Sequence, residues 1–352
     1  MNKNSKIYVA GHKGLVGSAV LRKLKSEGYE NLLYKTSSEL DLTRQKDVEE
    51  FFSKEKPEYV VLAAAKVGGI IANSTYPAEF IYKNIMISSN IIHSCYLNNV
   101  KKLINLGSTC IYPKNAPSPI KEEYLLTSEF EKTNEAYAIA KVSALKMCEF
   151  YNQQYGTNFI SLMPSNLFGE NDNFNMQTAH LLPMILRRFH LAKLYDENNI
   201  NAIKHDFSCN KLGWGLDENI NKTSLEEILH KIGIEKGVVT LWGDGSVYRE
   251  LMSSNQLADA VLFFLNNIDY KDINGFVNIS TGKDIKLSDL FDIVKRITGY
   301  KGNIKYDKTK PNGTFRKLPD SSKLLSLGYR PTYHLEKDIS DFYKWYCDKF
   351  LV

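Results

Sequence analysis

A chain of 352 residues that is 43% hydrophobic is long enough for two packed subdomains and a large core. Its formal charge of +5 is spread along the sequence without a basic cluster, which argues against a nucleic-acid groove and suits anionic small molecules. No apolar stretch approaches a membrane span and the opening MNKNSK runs straight into a strand, so a cytosolic protein is expected, while five cysteines without C-x-x-C spacing (Cys95, Cys110, Cys148, Cys209 and Cys347) support neither a disulfide framework nor a zinc site.

The first element is the apolar run from Lys6 to Ala10, followed by Gly11-His-Lys-Gly14-Leu-Val-Gly17 and a helical pattern through Leu21 and Leu24. Strand, glycine turn and helix make a phosphate site: Gly11 permits the tight turn, Gly14 the approach of a pyrophosphate and Gly17 close helix packing. The helix N-terminus at Leu15 and Val16 then faces the anion. A lone G-x-x-G-x-x-G is an ordinary glycine-rich turn in many proteins, and its seat between the first strand and the first helix is what gives it weight.

After the second apolar run, Asn31 to Tyr34, the place where a carboxylate would bind a ribose 2′-hydroxyl reads Lys35-Thr-Ser-Ser38, with no acid before Glu39. Lys13 and Lys35 could instead face a 2′-phosphate, which favours NADPH over NADH, although both could equally be solvated surface charges. Asp41 and Leu42 fall near the adenine edge, or Asp41 only caps a helix beginning around Thr43.

Further strands are expected at Tyr59 to Ala63, Lys102 to Leu106 and Phe159 to Met163, alternating with helices that include Ala78 to Leu97 and Tyr137 to Tyr155. The fold class is therefore α/β: a Rossmann-type, doubly wound parallel sheet with a smaller C-terminal α/β substrate domain. Ala63, Ala64 and Ala65, the Ser108-Thr109-Cys110 turn, and Pro164 with Asn166 and Leu167 each follow a strand, so they converge with the Gly11 turn on one crevice. Part of the surface of the two long helices is a candidate homodimer interface. Within NEAYAIAK, Tyr137 and Lys141 lie one helical turn apart on one face. There the ammonium can stabilise a phenolate and lower a phenol pKa that starts near ~10, making a proton donor for a ketone. Y-x-x-x-K also occurs by chance on many solvated helices, so the pair gains meaning from the N-terminal turn.

Beyond Asn166 the alternation stops. The segment from about 192 to 237 is polar, shows one helix signal in the capping box Ser224-Leu-Glu-Glu227 with Ile228, Leu229 and Ile232, and otherwise has little pattern. A mobile excursion is the expectation, with a functional lid as the alternative. Regular structure resumes at Val238 to Trp242. The domain reading is 1–170 with a return segment 248–282 for the nucleotide, and 171–247 with 283–352 for the substrate.

With AGHKGLVGSA, LAAAKVGGI, TYPAEFIYKN, NLGSTCIYP, NEAYAIAK, MPSNLFGENDNF, HLLPMILRRFH and KPNGTFRK in place, nearly the whole chain outside the insert resembles the extended short-chain dehydrogenase/reductases. Within them it is similar to the GDP-L-fucose synthase family, including C4-reductases of GDP-linked 4-keto-heptoses used in capsule synthesis. The resemblance implies NADP(H), a GDP-linked 4-keto sugar, Tyr137 as proton donor to the C4 oxygen, Lys141 as its partner and ribose contact, and Ser108 as the group polarising the ketone. It implies that Cys110 and His180 are the base and acid of an epimerisation next to the ketone, or contacts only, with His180 also near the cofactor. Arg188, Trp242, Arg249 and Lys310 would hold the GDP diphosphate or sugar, with Arg187 beside them expected on the surface.

Two departures stand out. The family reads R-E-F-x-H-V-D-D where this chain has Arg249-Glu-Leu-Met-Ser-Ser-Asn-Gln256, with Ser254 or Asn255 expected to cap the next helix. The insert follows the sugar-binding segment directly. Both point to an unusual sugar and to reduction of a GDP-4-keto-6-deoxy sugar or GDP-4-keto-heptose. The alternatives are a bifunctional 3,5-epimerase and 4-reductase, an NAD-retaining dehydratase or epimerase, which would commonly carry an acid pair in the Ser108 turn, and a non-catalytic NADPH-binding protein on the same fold.

Overall fold

The computed structural model describes residues 1–310 and 312–350. Five apolar runs form consecutive strands: β1 (Ile7–Ala10), β2 (Leu32–Leu33), β3 (Tyr59–Leu62), β4 (Lys102–Leu106) and β5 (Phe159–Pro164). Together with the strand Val277–Ile279 they make a six-stranded sheet in which β5, β4, β3, β1 and β2 follow that strand in order, and every pairing is parallel. Parallel strands bury both faces, which is why these runs read as continuous apolar stretches.

The two-residue period of a strand sends alternate side chains to opposite layers. Ile7, Val9, Val61, Ile104 and Ile160 pack with α1 (Leu15–Ser26) and with Leu257, Val261 and Phe264 of the helix Ser254–Asn267. Tyr8, Val60, Leu62, Leu103 and Phe159 pack with α2 (Gln45–Glu55), α4 (Pro77–Leu97) and α5 (Glu135–Tyr155). A short α3 (Ile70–Thr75) lies between β3 and α4. The expected strands and the two long helices are thus all present, with the helices on one face as read from the sequence.

A second core gathers around α6 (Leu181–Asp196), with α7 (Ile200–Cys209), α8 (Leu225–Lys231) and the helices Leu287–Thr298 and Leu335–Phe350. Two small sheets border it: Val238–Trp242 lies between Asn303–Asp307 and Ile234–Glu235, and Tyr248–Arg249 between Ile285–Lys286 and Arg316–Lys317. Among the described residues no helix is long and apolar enough to cross a membrane.

Three expectations are corrected here. The 192–237 segment is folded rather than a mobile excursion: Ile203, Phe207, Leu212, Leu216, Ile228 and Leu229 are buried in the core of α6, and the Ser224–Glu227 capping box starts α8 as expected. Most of its polar residues face outward and mask an apolar spacing of one helical turn, Asp206 and Asn210 being buried exceptions. Arg187 is not a surface residue but fully buried, its Nε and Nη2 donating to Asp206 Oδ1 at 2.8 and 2.6 Å. A charge of this kind is tolerated inside a protein only when paired and fully hydrogen-bonded, and the carbonyls of Phe174, Asn210 and Lys211 accept its remaining donors. Finally, the helix after Arg249 is capped by Ser253, in a reciprocal box with Gln256, and not by Ser254 or Asn255.

Candidate functional site

At the carboxyl end of β1, Gly11 takes φ +87°, and a Cβ there would come within 2.7 Å of the Ala64 amide nitrogen. A Cβ on Gly17 would lie 2.2 Å from the Gly11 carbonyl oxygen. Only glycine fits at either position. Gly14 caps α1 without a side chain and donates to the Gly11 carbonyl at 3.0 Å, so the first amides of the helix, at Leu15 and Val16, are free for an anion. This cradle fits a dinucleotide pyrophosphate. Ala63 closes its floor, donating to the Ala10 carbonyl at 3.0 Å, with Ala64 and Ala65 continuing along the β3 edge.

Lys13 is exposed, and Lys35 reaches Glu39 at 3.7 Å. Asp41 accepts from the Thr43 amide and hydroxyl at 3.0 and 2.7 Å, which holds its carboxyl below the usual range. It caps that turn and not α2, which starts later at Gln45. The Leu42 carbonyl accepts from Asn90 of α4 at 2.9 Å. Sequence reading passed over His12, whose Nδ1 is buried without a partner, and whose ring lies 4.9 Å from that of Tyr34. Burial, then the neighbouring Lys13 charge, pushes its imidazole pKa down.

Beyond β4, the Ser108 hydroxyl accepts from the Cys110 amide at 3.2 Å and so caps a short 3₁₀ turn, Thr109–Ile111. That bond fixes the turn against α5, from which Tyr137 and Lys141 project. Lys141 is buried and donates to the Leu106 carbonyl at 2.8 Å, with its ammonium 5.7 Å from the centre of the Tyr137 ring. Phe80 of α4 meets the same ring edge-on at 6.5 Å. Burial pushes the Tyr137 phenol above its ordinary range and pulls Lys141 down to about 8; a thiolate at Cys110 acts on both. The expectation that Lys141 depresses the phenol is therefore not met, because burial raises the phenol and dominates its environment. The resting phenol keeps its proton.

His180 is the N-cap of α6. It is exposed, yet the protein around it pushes its imidazole pKa down. The loop before it is tied to the β3 side, where the Gly69 amide donates to the Thr178 carbonyl at 2.9 Å. Pro164 ends β5, and Asn166 and Leu167 begin a short strand paired to Leu251–Ser253, the Asn166 side-chain Nδ2 donating to the Glu250 carbonyl at 3.0 Å.

Two turns into α6, Arg188 is buried, with Nη1 3.2 Å from the Thr240 carbonyl and Nε without a partner among the described residues. Burial without a counter-ion lowers its pKa to about 10, an arrangement that calls for an anion. Trp242, at the end of the same strand as Thr240, is exposed, and Lys310 sits 5.7 Å over its ring. Arg249 donates to the Tyr248 and Thr314 carbonyls at 2.6 and 2.7 Å. The adjacent Glu250, also passed over in the sequence, is fully buried and accepts from the Ser280 and Thr281 hydroxyls at 2.7 Å each, so it anchors the strand that presents Arg249. A further unforeseen acid is Asp172, whose carboxyl is pushed up to about 7 by burial and has one oxygen without a partner. Among the described residues no cluster of His, Cys, Asp and Glu is arranged to hold a metal ion.

A parallel sheet with a glycine turn at its first crossover and a tyrosine and lysine one turn apart beside a serine defines an extended short-chain dehydrogenase/reductase. The profile of the NAD dependent epimerase/dehydratase family matches residues 7–205. GDP-L-fucose synthase 1 of Arabidopsis thaliana is 48% identical over 98% of this chain and 94% of its own. Two solved Campylobacter jejuni proteins align over 98% of this chain and 99% of theirs. One is a GDP-D-glycero-L-gluco-heptose synthase studied in the presence of NADPH, 42% identical with a TM-score of 0.89; the other is a GDP-mannoheptose C4 reductase with NADP bound, 41% identical with a TM-score of 0.84. The chain belongs to the NAD dependent epimerase/dehydratase family and, within it, to the GDP-L-fucose synthase family.

Proposed function

We propose that this protein reduces the 4-ketone of a GDP-linked 4-keto-6-deoxy sugar or 4-keto-heptose with NADPH. The observation that carries the proposal is the placement of Tyr137 over buried Lys141 on α5, which packs on the Ser108 turn, at the strand edge that also holds the glycine cradle. NADPH bound in the cradle supplies a hydride to C4. Tyr137 gives its proton to the C4 oxygen, Ser108 donates a hydrogen bond to that oxygen as charge develops on it, and Lys141 stabilises the phenolate left behind. A phenol raised by burial suits this direction of reaction, since it starts protonated. Lys13 and Lys35 flank the 2′-phosphate, and Arg188, Arg249, Lys310 and the Trp242 ring receive the GDP and sugar. Residues 1–170 with 248–282 serve as the nucleotide domain and the remainder as the substrate domain. The reaction takes place in the cytosol, in a homodimer joined through α4 and α5.

A second reading is favoured by the placement of Cys110, close enough to Tyr137 and Lys141 to enter the electrostatics of both. From there it could remove a proton from a carbon beside the ketone, with His180 reprotonating it, before reduction. Turnover in D₂O with NADPH separates the two. We expect reduction alone, and so no solvent deuterium at C3 or C5; label at either carbon that is lost in Cys110→Ser establishes the bifunctional enzyme instead.

A further inference from the structure

The folded insert reaches the loop that ends at His180. Its tightest turn, Gly213-Trp214-Gly215, holds three successive left-handed residues at φ +83°, +51° and +69°, a conformation that a bulky tryptophan rarely adopts. The Asp217 carboxylate locks the turn, accepting from the Leu212 and Gly213 amides at 2.8 Å each. The Trp214 amide then donates to Gln177 Oε1 at 2.8 Å, and a Cβ on Gly213 would come within 2.5 Å of the Gln177 Cβ. Gln177 lies three residues before His180, in a loop held on one side by Gly69 and on the other by the buried Arg187 through the Phe174 carbonyl. Despite this backbone anchoring, Trp214 remains 44% exposed.

We propose that Trp214 is a specificity-determining residue: with Gln177 it forms the outer wall of the sugar subsite and takes the exocyclic carbons of the substrate sugar against its indole face. This rests on the proposed reduction of a GDP-linked 4-keto sugar. Gln177 is three residues from His180 and accepts from the Trp214 amide, so the Trp214 turn is the part of the insert that adjoins a sugar held at His180 and Tyr137. A hexose ends its exocyclic chain at C6; a heptose extends it by one hydroxymethylene toward the indole. An aromatic face buries such C–H groups while leaving their hydroxyls to water.

The test compares wild type, Trp214→Ala and Trp214→Phe on GDP-4-keto-6-deoxymannose and its heptose counterpart. One extra carbon in an apolar subsite is worth about tenfold or more, so Trp214→Ala should lose that factor in kcat/KM for the heptose ketone, mainly through KM. The hexose ketone and the NADPH dissociation constant should be unchanged within about threefold, and Trp214→Phe should restore most of the loss. Equal effects on the two ketones, or none, overturn the wall. If the wild type reduces neither ketone, it is the proposed reaction that fails. Titration with GDP-mannoheptose against GDP then decides the wall separately: weaker GDP-mannoheptose binding with unchanged GDP binding in Trp214→Ala upholds it, and equal binding rejects it.

Discussion

A phenol and an ammonium one helical turn apart make an acid only if their surroundings leave the proton in the right place. Here burial raises Tyr137 and lowers Lys141 to about 8, so at neutral pH the pair enters the reaction with the phenol protonated and the lysine mostly charged. Replacing Tyr137 by Phe removes only the donor, and steady-state kinetics should show kcat lower by ~10²- to 10⁴-fold, the usual range for a general acid. NADPH affinity should hold; a loss of turnover below about tenfold would contradict the assignment. Lys141 adds a pH dependence whose sign follows from its depressed pKa. Between about 8 and the ordinary lysine value of 10.5 the unfolded chain binds the proton and the folded one does not, so the contribution of Lys141 to stability rises with pH through that window, and below it the cost of burying the charge is fully present. Its ammonium disappears over the same range. Titrations on either side of pH 8 should therefore find NADPH binding weaker on the alkaline side in the wild type, with this slope absent in Lys141→Met. An identical slope in the variant would remove Lys141 from the cofactor site.

At the level of elements, what the sequence revealed was what is local. The glycine turn, the capping box at Ser224 and the Tyr137–Lys141 spacing each depend on residues a few positions apart, and the helix or strand around them follows from periodicity. Two of the readings that failed, the exposed Arg187 and the mobile insert, depend on partners far along the chain, whereas the Ser253 cap was missed by a single residue. Nothing next to Arg187 announces Asp206, nineteen residues on, nor the Tyr346 hydroxyl that donates to the other oxygen of that carboxylate. Without that network the insert reads as polar and patternless; with it, α7 is bolted to α6 and to the C-terminal helix. The Tyr137 shift was equally out of reach, since it is set by how much protein surrounds the ring. Asp206→Ala should expose the importance of this bolt by leaving the Arg187 guanidinium buried without its counter-charge, at a cost of about 3–5 kcal/mol in urea unfolding. A loss of less than about 1 kcal/mol, the scale of an exposed pair, would mean that the insert is held by its apolar contacts alone.

For the molecule as a whole, α4 and α5 carry an apolar and aromatic surface: Leu97, Phe150 and Tyr155 are exposed, and Tyr96 stacks on Tyr155 at 4.2 Å. Exposed apolar groups gathered in this way suit an interaction surface, and the proposed homodimer would cover them. Phe150→Lys should then halve the mass seen by sedimentation, and a wild type that already sediments as a monomer would rule the dimer out. The crevice and the dimer face lie on different parts of α5, so loss of the dimer need not disturb the Tyr137 end. The central claim, hydride delivery to a sugar ketone held at Tyr137, is tested most directly by the fate of that hydride. Turnover of GDP-4-keto-6-deoxymannose and its heptose counterpart with NADPH deuterated at the transferring carbon should place deuterium on C4 of at least one product, as read by NMR. Consumption of neither ketone, or a product without deuterium at C4, would contradict the account.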